Sequence, residues 1–161
     1  MATAMLGPVG LRASRGDDER LPADTVVTML RGACERRCPV YRVAIFEDGT
    51  AIVEGEHYLR KPILAKTTLP RDDVKRLIAA FKALDYFHLE DAYGYQGKGC
   101  TSTKASDEQV VVTTLVSGGQ GKSIAHHHGC LGAIPDRLTA LEDTIDRTAQ
   151  SARLLKPALR K

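Results

Sequence analysis

Apolar and polar positions alternate between Val40 and Phe46, with Tyr41, Val43 and Ile45 on one side and Arg42 and Ala44 on the other. A period of two predicts a half-buried strand. Asp48-Gly49 follows and suits a type I′ hairpin, whose two central residues both need positive φ. Residues 50–55 return as the partner strand. A short β-branched run at residues 25–30 predicts an earlier strand. Residues 109–116 are apolar or β-branched on both faces, which fits a central strand. Gly118-Gly119 offers the next hairpin turn, with residues 122–128 as its second arm. Residues 58–68 are ambiguous: Ile63 and Leu64 suit an edge strand, and Pro62 argues against a central one.

Two stretches change to a helical period. Thr68-Leu69-Pro70 opens the first; Pro70 suits the first helical position, and Asp72 and Asp73 complement the positive end of the helix dipole. Val74, Leu77, Ile78, Phe81 and Leu84 form one apolar stripe that should end near Asp85. Ile134-Pro135-Asp136 opens the second, with Leu138, Leu141 and Ile145 on its stripe. Residues 91–107, with Gly94, Gly97 and Gly99, have no period and read as a long loop. The strands are joined by hairpins, without crossovers. The expected fold is therefore α+β: an antiparallel sheet of about five to six strands with two helices packed on one face.

The 161 residues suit one domain, and 43% hydrophobic against 27% charged residues excludes wholesale disorder. No apolar run is long enough to span a bilayer as a helix. With no Trp and 5% aromatics, the core must be aliphatic. Residues 1–24 are expected to be a flexible leader, residues 25–150 a single domain and residues 151–161 a basic, solvated tail. Arg153, Lys156, Arg160 and Lys161 contribute +4 to a net charge of +3, so the remainder carries −1 and the body is near neutral. A basic stripe of the kind that binds nucleic acid is not visible. The first ten residues lack the charged start and apolar stretch of a secretory signal. That reading leaves a cytoplasmic protein, or a mature chain whose signal is replaced by Met1.

Cys34, Cys38, Cys100 and Cys130 are even in number and lie near turns. Disulfides Cys34–Cys38 and Cys100–Cys130 are the favoured reading; reduced thiols and a metal or redox site remain open. The second bond would close a loop of about 30 residues and contribute about 3–4 kcal/mol. The run His126-His127-His128 ends a predicted strand. Residues two apart share a strand face, so His126 and His128 should point together, with Cys130 beside them if the strand continued. Imidazole pairs on one face suit Zn²⁺ or Cu²⁺, although no cofactor is required by any motif. Tyr93, Tyr95 and Lys98 in the long loop form a candidate interaction surface. Neither a GxSxG nucleophile turn, a phosphate loop, an HExxH nor a GxGxxG occurs, so no catalytic residues are assigned.

The run from Cys34 to Thr50, CxxxCPVYxVxIxxDGT, resembles the opening of an uncharacterised bacterial family catalogued as domain of unknown function 6438. The resemblance extends through Glu54-Gly55, the helix around residues 74–81, Asp85-Tyr86-Phe87, and Leu141-Glu142-Asp143 with Ile145-Asp146. It covers roughly residues 26–149. It implies a secreted or periplasmic home and oxidised cysteines, although this chain lacks a signal and carries Cys100 in a longer loop. The function expected is a non-enzymatic extracytoplasmic binding or structural module, stapled by disulfides, whose partner is an unknown protein or envelope component. The alternative is a transition-metal-binding or thiol-redox protein using His126, His128 and cysteines.

Overall fold

A computed structural model describes residues 20–159. Along them run β1 (Val26–Arg31), β2 (Val40–Phe46), β3 (Thr50–His57), β4 (Ile63–Thr68), α1 (Arg71–Ala83), β5 (Ala92–Tyr93) and β6 (Ser102–Thr103). Then come β7 (Val110–Ser117), β8 (Gln120–His127), β9 (Cys130–Leu131), α2 (Ala133–Ala149) and α3 (Ser151–Leu155). Seven strands form one sheet in the order β4-β3-β2-β1-β7-β8-β5; β6 and β9 pair separately. Every pairing in the sheet is antiparallel except β5 with β8. No helix among the described residues is long and apolar enough to cross a membrane.

The alternation read from the sequence is the alternation of burial. Val27 and Met29 of β1, Val43 and Ile45 of β2, Ala51 and Val53 of β3, Val111 and Leu115 of β7, and Ile124 of β8 are all buried. The buried stripes of α1 (Val74, Leu77, Ile78, Phe81) and α2 (Leu138, Leu141, Ile145) join the same core. Phe81 meets Tyr86 edge to face, with ring centroids 4.8 Å apart. The Tyr86 hydroxyl donates to the Thr113 carbonyl at 2.8 Å, which anchors the exit of α1 to the centre of the sheet. Burial pushes the Tyr86 phenol up to about 12, so it remains a donor.

The structure departs from the sequence reading in four places. The sheet has seven strands rather than five or six, because the long loop contributes β5 to the open edge of β8. The loop after β2 spans residues 47–49 and is not a two-residue type I′ turn. Only Gly49 has positive φ, at 89°, and its N–H donates to the Phe46 carbonyl at 3.0 Å. That is a type I turn closed by a left-handed residue, and a Cβ on Gly49 would lie 2.4 Å from the Leu69 carbonyl oxygen.

Residues 151–159 do not form a frayed tail. Gln150 adopts a left-handed conformation (φ 58°) that ends α2 and redirects the chain into α3; Leu155 at the end of α3 and Ala158 in the turn after it are buried. The basic residues left the apolar ones unnoticed: Leu154, Leu155, Ala158 and Leu159 all pack on the core. The Arg60 N–H donates to the Ala158 carbonyl at 2.7 Å, tying the segment to the connection between β3 and β4. Finally, residues 20–24 are not a free leader. The Asp24 carboxylate accepts from the Gly118 and Gly119 N–H groups at 2.9 and 2.7 Å, closing the β7–β8 turn. The remainder of the expected leader, residues 1–19, lies outside the described residues.

Phe81 is fully buried between α1 and the sheet. Phe81→Ala should therefore lower the unfolding free energy by about 3–5 kcal/mol. Urea unfolding followed by circular dichroism measures this, and a loss under about 1 kcal/mol would mean that the cavity collapses or the packing is misread.

Candidate functional site

Strand register sets out a row of side chains across one end of the sheet. Tyr41 lies opposite Arg31, Arg31 opposite Val111, Val111 opposite His126, and His126 opposite Tyr93. Above this row runs α2. Glu142 and Asp146 are one helical turn apart and so share a face. The two carboxylates reach down to opposite halves of the row.

Asp146 takes the Arg31 half. Arg31 Nε donates to Asp146 Oδ2 at 2.7 Å, and the Tyr41 hydroxyl lies 2.9 Å from both carboxylate oxygens. Asp143 adds a longer contact to Arg31 Nη2 at 3.3 Å. Burial works most strongly against the Arg31 charge, but Asp146, Tyr41 and Glu142 together outweigh it and hold the guanidinium above its ordinary value. Burial, then Asp146, pushes the Tyr41 phenol well up, so it stays a hydrogen-bond donor.

Glu142 takes the histidine half. Its Oε1 lies 2.8 Å from His126 Nδ1 and its Oε2 2.6 Å from His128 Nε2. The Glu142 side chain is 1% exposed, His126 2% and His128 21%. Burial opposes the Glu142 charge, yet the hydrogen bonds from His126 and His128 outweigh it and hold the carboxyl below its ordinary value. An ionised carboxylate only accepts, so His126 Nδ1 and His128 Nε2 carry the protons. His126 Nε2 is left buried with no hydrogen-bond partner.

His126 and His128 thus point together, as strand geometry predicts. Cys130 is not with them as a thiolate: it is bonded to Cys100, with Cα atoms 5.1 Å apart. Glu142 stands with the two histidines in its place. Nothing near in sequence announces it, because 14 residues separate it from His128. One signal was present: a glutamate within the apolar stripe of Leu138, Leu141 and Ile145, where a solvated charge has no place. His127 faces the other way, with Nε2 3.1 Å from the Ser106 carbonyl oxygen and its ring 5.5 Å from that of Tyr95. Gly129 permits this turn, since a Cβ there would lie 2.4 Å from the Ala105 carbonyl oxygen.

The expected loop surface is divided. Tyr93 is buried in β5 and does not contribute to a surface. Its strand position directs the ring into the core beside His126. Tyr95 and Lys98 are exposed, and Lys98 Nζ pairs with Glu90 at 2.9 Å. Tyr95 lies on the His127 side, away from the Glu142 cluster. The other cysteine pair, Cys34–Cys38, closes the turn between β1 and β2, with Cα atoms 5.4 Å apart.

Beyond the Arg31 half of the row a groove of about 630 Å³ opens between the disulfide turn, β2 and the end of α2 with α3. Pro39, Tyr41, Leu155 and Leu159 supply its apolar walls; Arg147 and Arg153 stand at its edge. Arg153 has no ion-pair partner among the described residues. Sequence reading misses this groove because a third of its lining (Ala152, Arg153, Leu155 and Leu159) comes from the segment expected to be a solvated tail, residues 151–161.

Residues 25–149 match the model of a family described as a domain of unknown function (DUF6438), and the chain belongs to that family. No curated protein matches the chain. The family match takes in both halves of the row and the histidine cluster, and ends at the last residue of α2.

Glu142 also makes stability depend on pH in a defined sense. Its carboxyl lies below its ordinary value of 4.5 in the folded chain, so its contribution is complete above that pH and is lost as pH falls through the folded value. Glu142→Gln should cost about 2 kcal/mol at pH 7, as charged hydrogen bonds become neutral ones. The cost should shrink as pH falls through the folded value, where the wild-type carboxyl is itself protonated. Denaturant midpoints of both proteins at pH 7 and along an acid series check this; an equal gap throughout would show that Glu142 does not act through its charge.

Proposed function

We propose that this member of the family is a non-enzymatic extracytoplasmic binding module that seats an anionic ligand with an apolar body in the groove beside Tyr41. One observation carries the reading: an apolar groove of ligand size, edged by Arg147 and the unpaired Arg153. Small-molecule sites occupy about 300–1,000 Å³, with mostly apolar walls and few polar groups to fix orientation. Among the described residues, the only carboxylate lining the groove, Asp146, is already engaged by Arg31 and Tyr41. Positive charge at the edge is therefore uncompensated, and a carboxylate or sulfonate on an acyl or aryl body complements it.

The groove is built in part from the residues that define the motif. Cys38, Pro39 and Tyr41 line it, and the Cys34–Cys38 bond restrains the turn that carries them. A preformed wall lowers the ordering cost of binding. Two disulfides and no free cysteine among the described residues support an oxidising compartment.

The probe is 8-anilinonaphthalene-1-sulfonate, an anionic aromatic whose fluorescence rises in apolar surroundings. Saturable one-to-one binding to the folded protein is expected, with dodecanoate as a competitor. Arg153→Glu should weaken it about tenfold, or about 1.4 kcal/mol. Reducing Cys34–Cys38 should weaken it as well. Absence of saturable binding, or binding indifferent to Arg153→Glu, would overturn the reading.

A further inference from the structure

We propose that His126, His128 and Glu142 form a binding site for a divalent transition-metal ion, Zn²⁺ or Cu²⁺. Two independent observations carry it. One nitrogen from each imidazole and one carboxylate oxygen lie within 4.8 Å of one another. Separately, the Glu142 carboxylate is 1% exposed and its direct partners are two imidazoles, with no Lys or Arg paired to it among the described residues. A buried carboxylate without a fixed cation beside it gains most from a bound one.

The geometry needs little adjustment. The carboxylate now bridges the two imidazoles at 2.8 and 2.6 Å. Metal–nitrogen and metal–oxygen bonds of about 2.0–2.2 Å place ligand atoms of one tetrahedron a little over 3 Å apart. The ion takes the place of protons now shared between imidazole and carboxylate, and those protons leave to solvent. Strand and helix hold the ligands: His126 is paired in β8, and Glu142 lies mid-way along α2. The partial exposure of His128 gives the ion its route from solvent.

The donor set selects the metal class. Two imidazoles and one carboxylate are borderline ligands that favour Zn²⁺ and Cu²⁺ over Ca²⁺ or Mg²⁺. The softest candidate, Cys130, is committed to Cys100, which argues against Cu⁺. Three protein donors leave at least one position for water or a ligand.

The test uses the full chain without an added histidine tag, first stripped of metal by chelation and dialysis. Calorimetric titration with Zn²⁺ should show one equivalent bound. His128→Ala should weaken binding about tenfold or more, with the fold retained by circular dichroism. His127→Ala should leave affinity unchanged, because His127 faces Ser106 and Tyr95. A measurement that needs no variant stands beside it: the electron paramagnetic resonance spectrum of the Cu²⁺ complex should show two nitrogen ligands. No binding would make the cluster a purely structural network and overturn the proposal. Equal losses in His127→Ala and His128→Ala, or three coordinated nitrogens, would place the ion on the surface histidine run and overturn it equally.

Discussion

Two carboxylates on one face of α2, Glu142 and Asp146, fix that helix to the sheet. Apolar contacts alone would not fix it, since burying Leu138, Leu141 and Ile145 is favourable over a range of helix rotations and heights. Hydrogen bonds are directional, and a buried carboxylate without its donors costs several kcal/mol. Asp146 must meet Arg31 and Tyr41, while Glu142 must meet His126 and His128. Those donors come from β1, β2 and the end of β8, so strand register and helix position specify each other. A slip of one residue in β8 would turn His126 to the open face and leave Glu142 without that donor.

The groove and the histidine cluster are consequences of the same contact. Asp146 is spent on Arg31 and Tyr41, which leaves Arg147 and Arg153 to set the potential of the groove. Glu142 draws His126 and His128 inward, while His127 is left to the loop. Each disulfide sits beside one of these sites. Cys34–Cys38 holds the turn that walls the groove, and Cys100–Cys130 ties the long loop to the strand two residues after His128. The fold thus uses one helix to position both sites and one covalent bond to limit the freedom of each.

What was legible in the sequence followed from period. The alternation of Tyr41, Val43 and Ile45, and the stripe of Val74, Leu77, Ile78 and Phe81, state which face is buried, and strand β2 has the bounds the pattern implies. The elements that escaped carry no period. Strands β5 and β6 are two residues each, too short to alternate, and exist because β8 and β9 offer them unpaired edges. Helix α3 is hidden by composition: its leucines, Leu154 and Leu155, are flanked by Arg153 and Lys156, and Gln150 is an uncommon residue for the left-handed turn that starts it. Glu142 was hidden by distance, since its partners are brought to it by the antiparallel return of the sheet. The His126–His128 pairing was legible because a strand face is a local property; the identity of the third group was not.

The cysteine pairs divide their work in the same local and non-local way. A five-residue turn such as the one from Cys34 to Cys38 restricts the unfolded chain modestly, so its contribution lies mainly in the native shape of the turn. The Cys100–Cys130 bond joins residues 30 apart, and the entropy it removes is correspondingly larger. It acts where the core gives least help. Between Tyr95 and Gln109 the chain supplies no fully buried apolar side chain, whereas a loop with three glycines loses considerable backbone entropy on ordering. The sheet from β4 to β8 has its own hairpins and its own core, and does not depend on that bond. The loop does, and with it the wall that packs around His127.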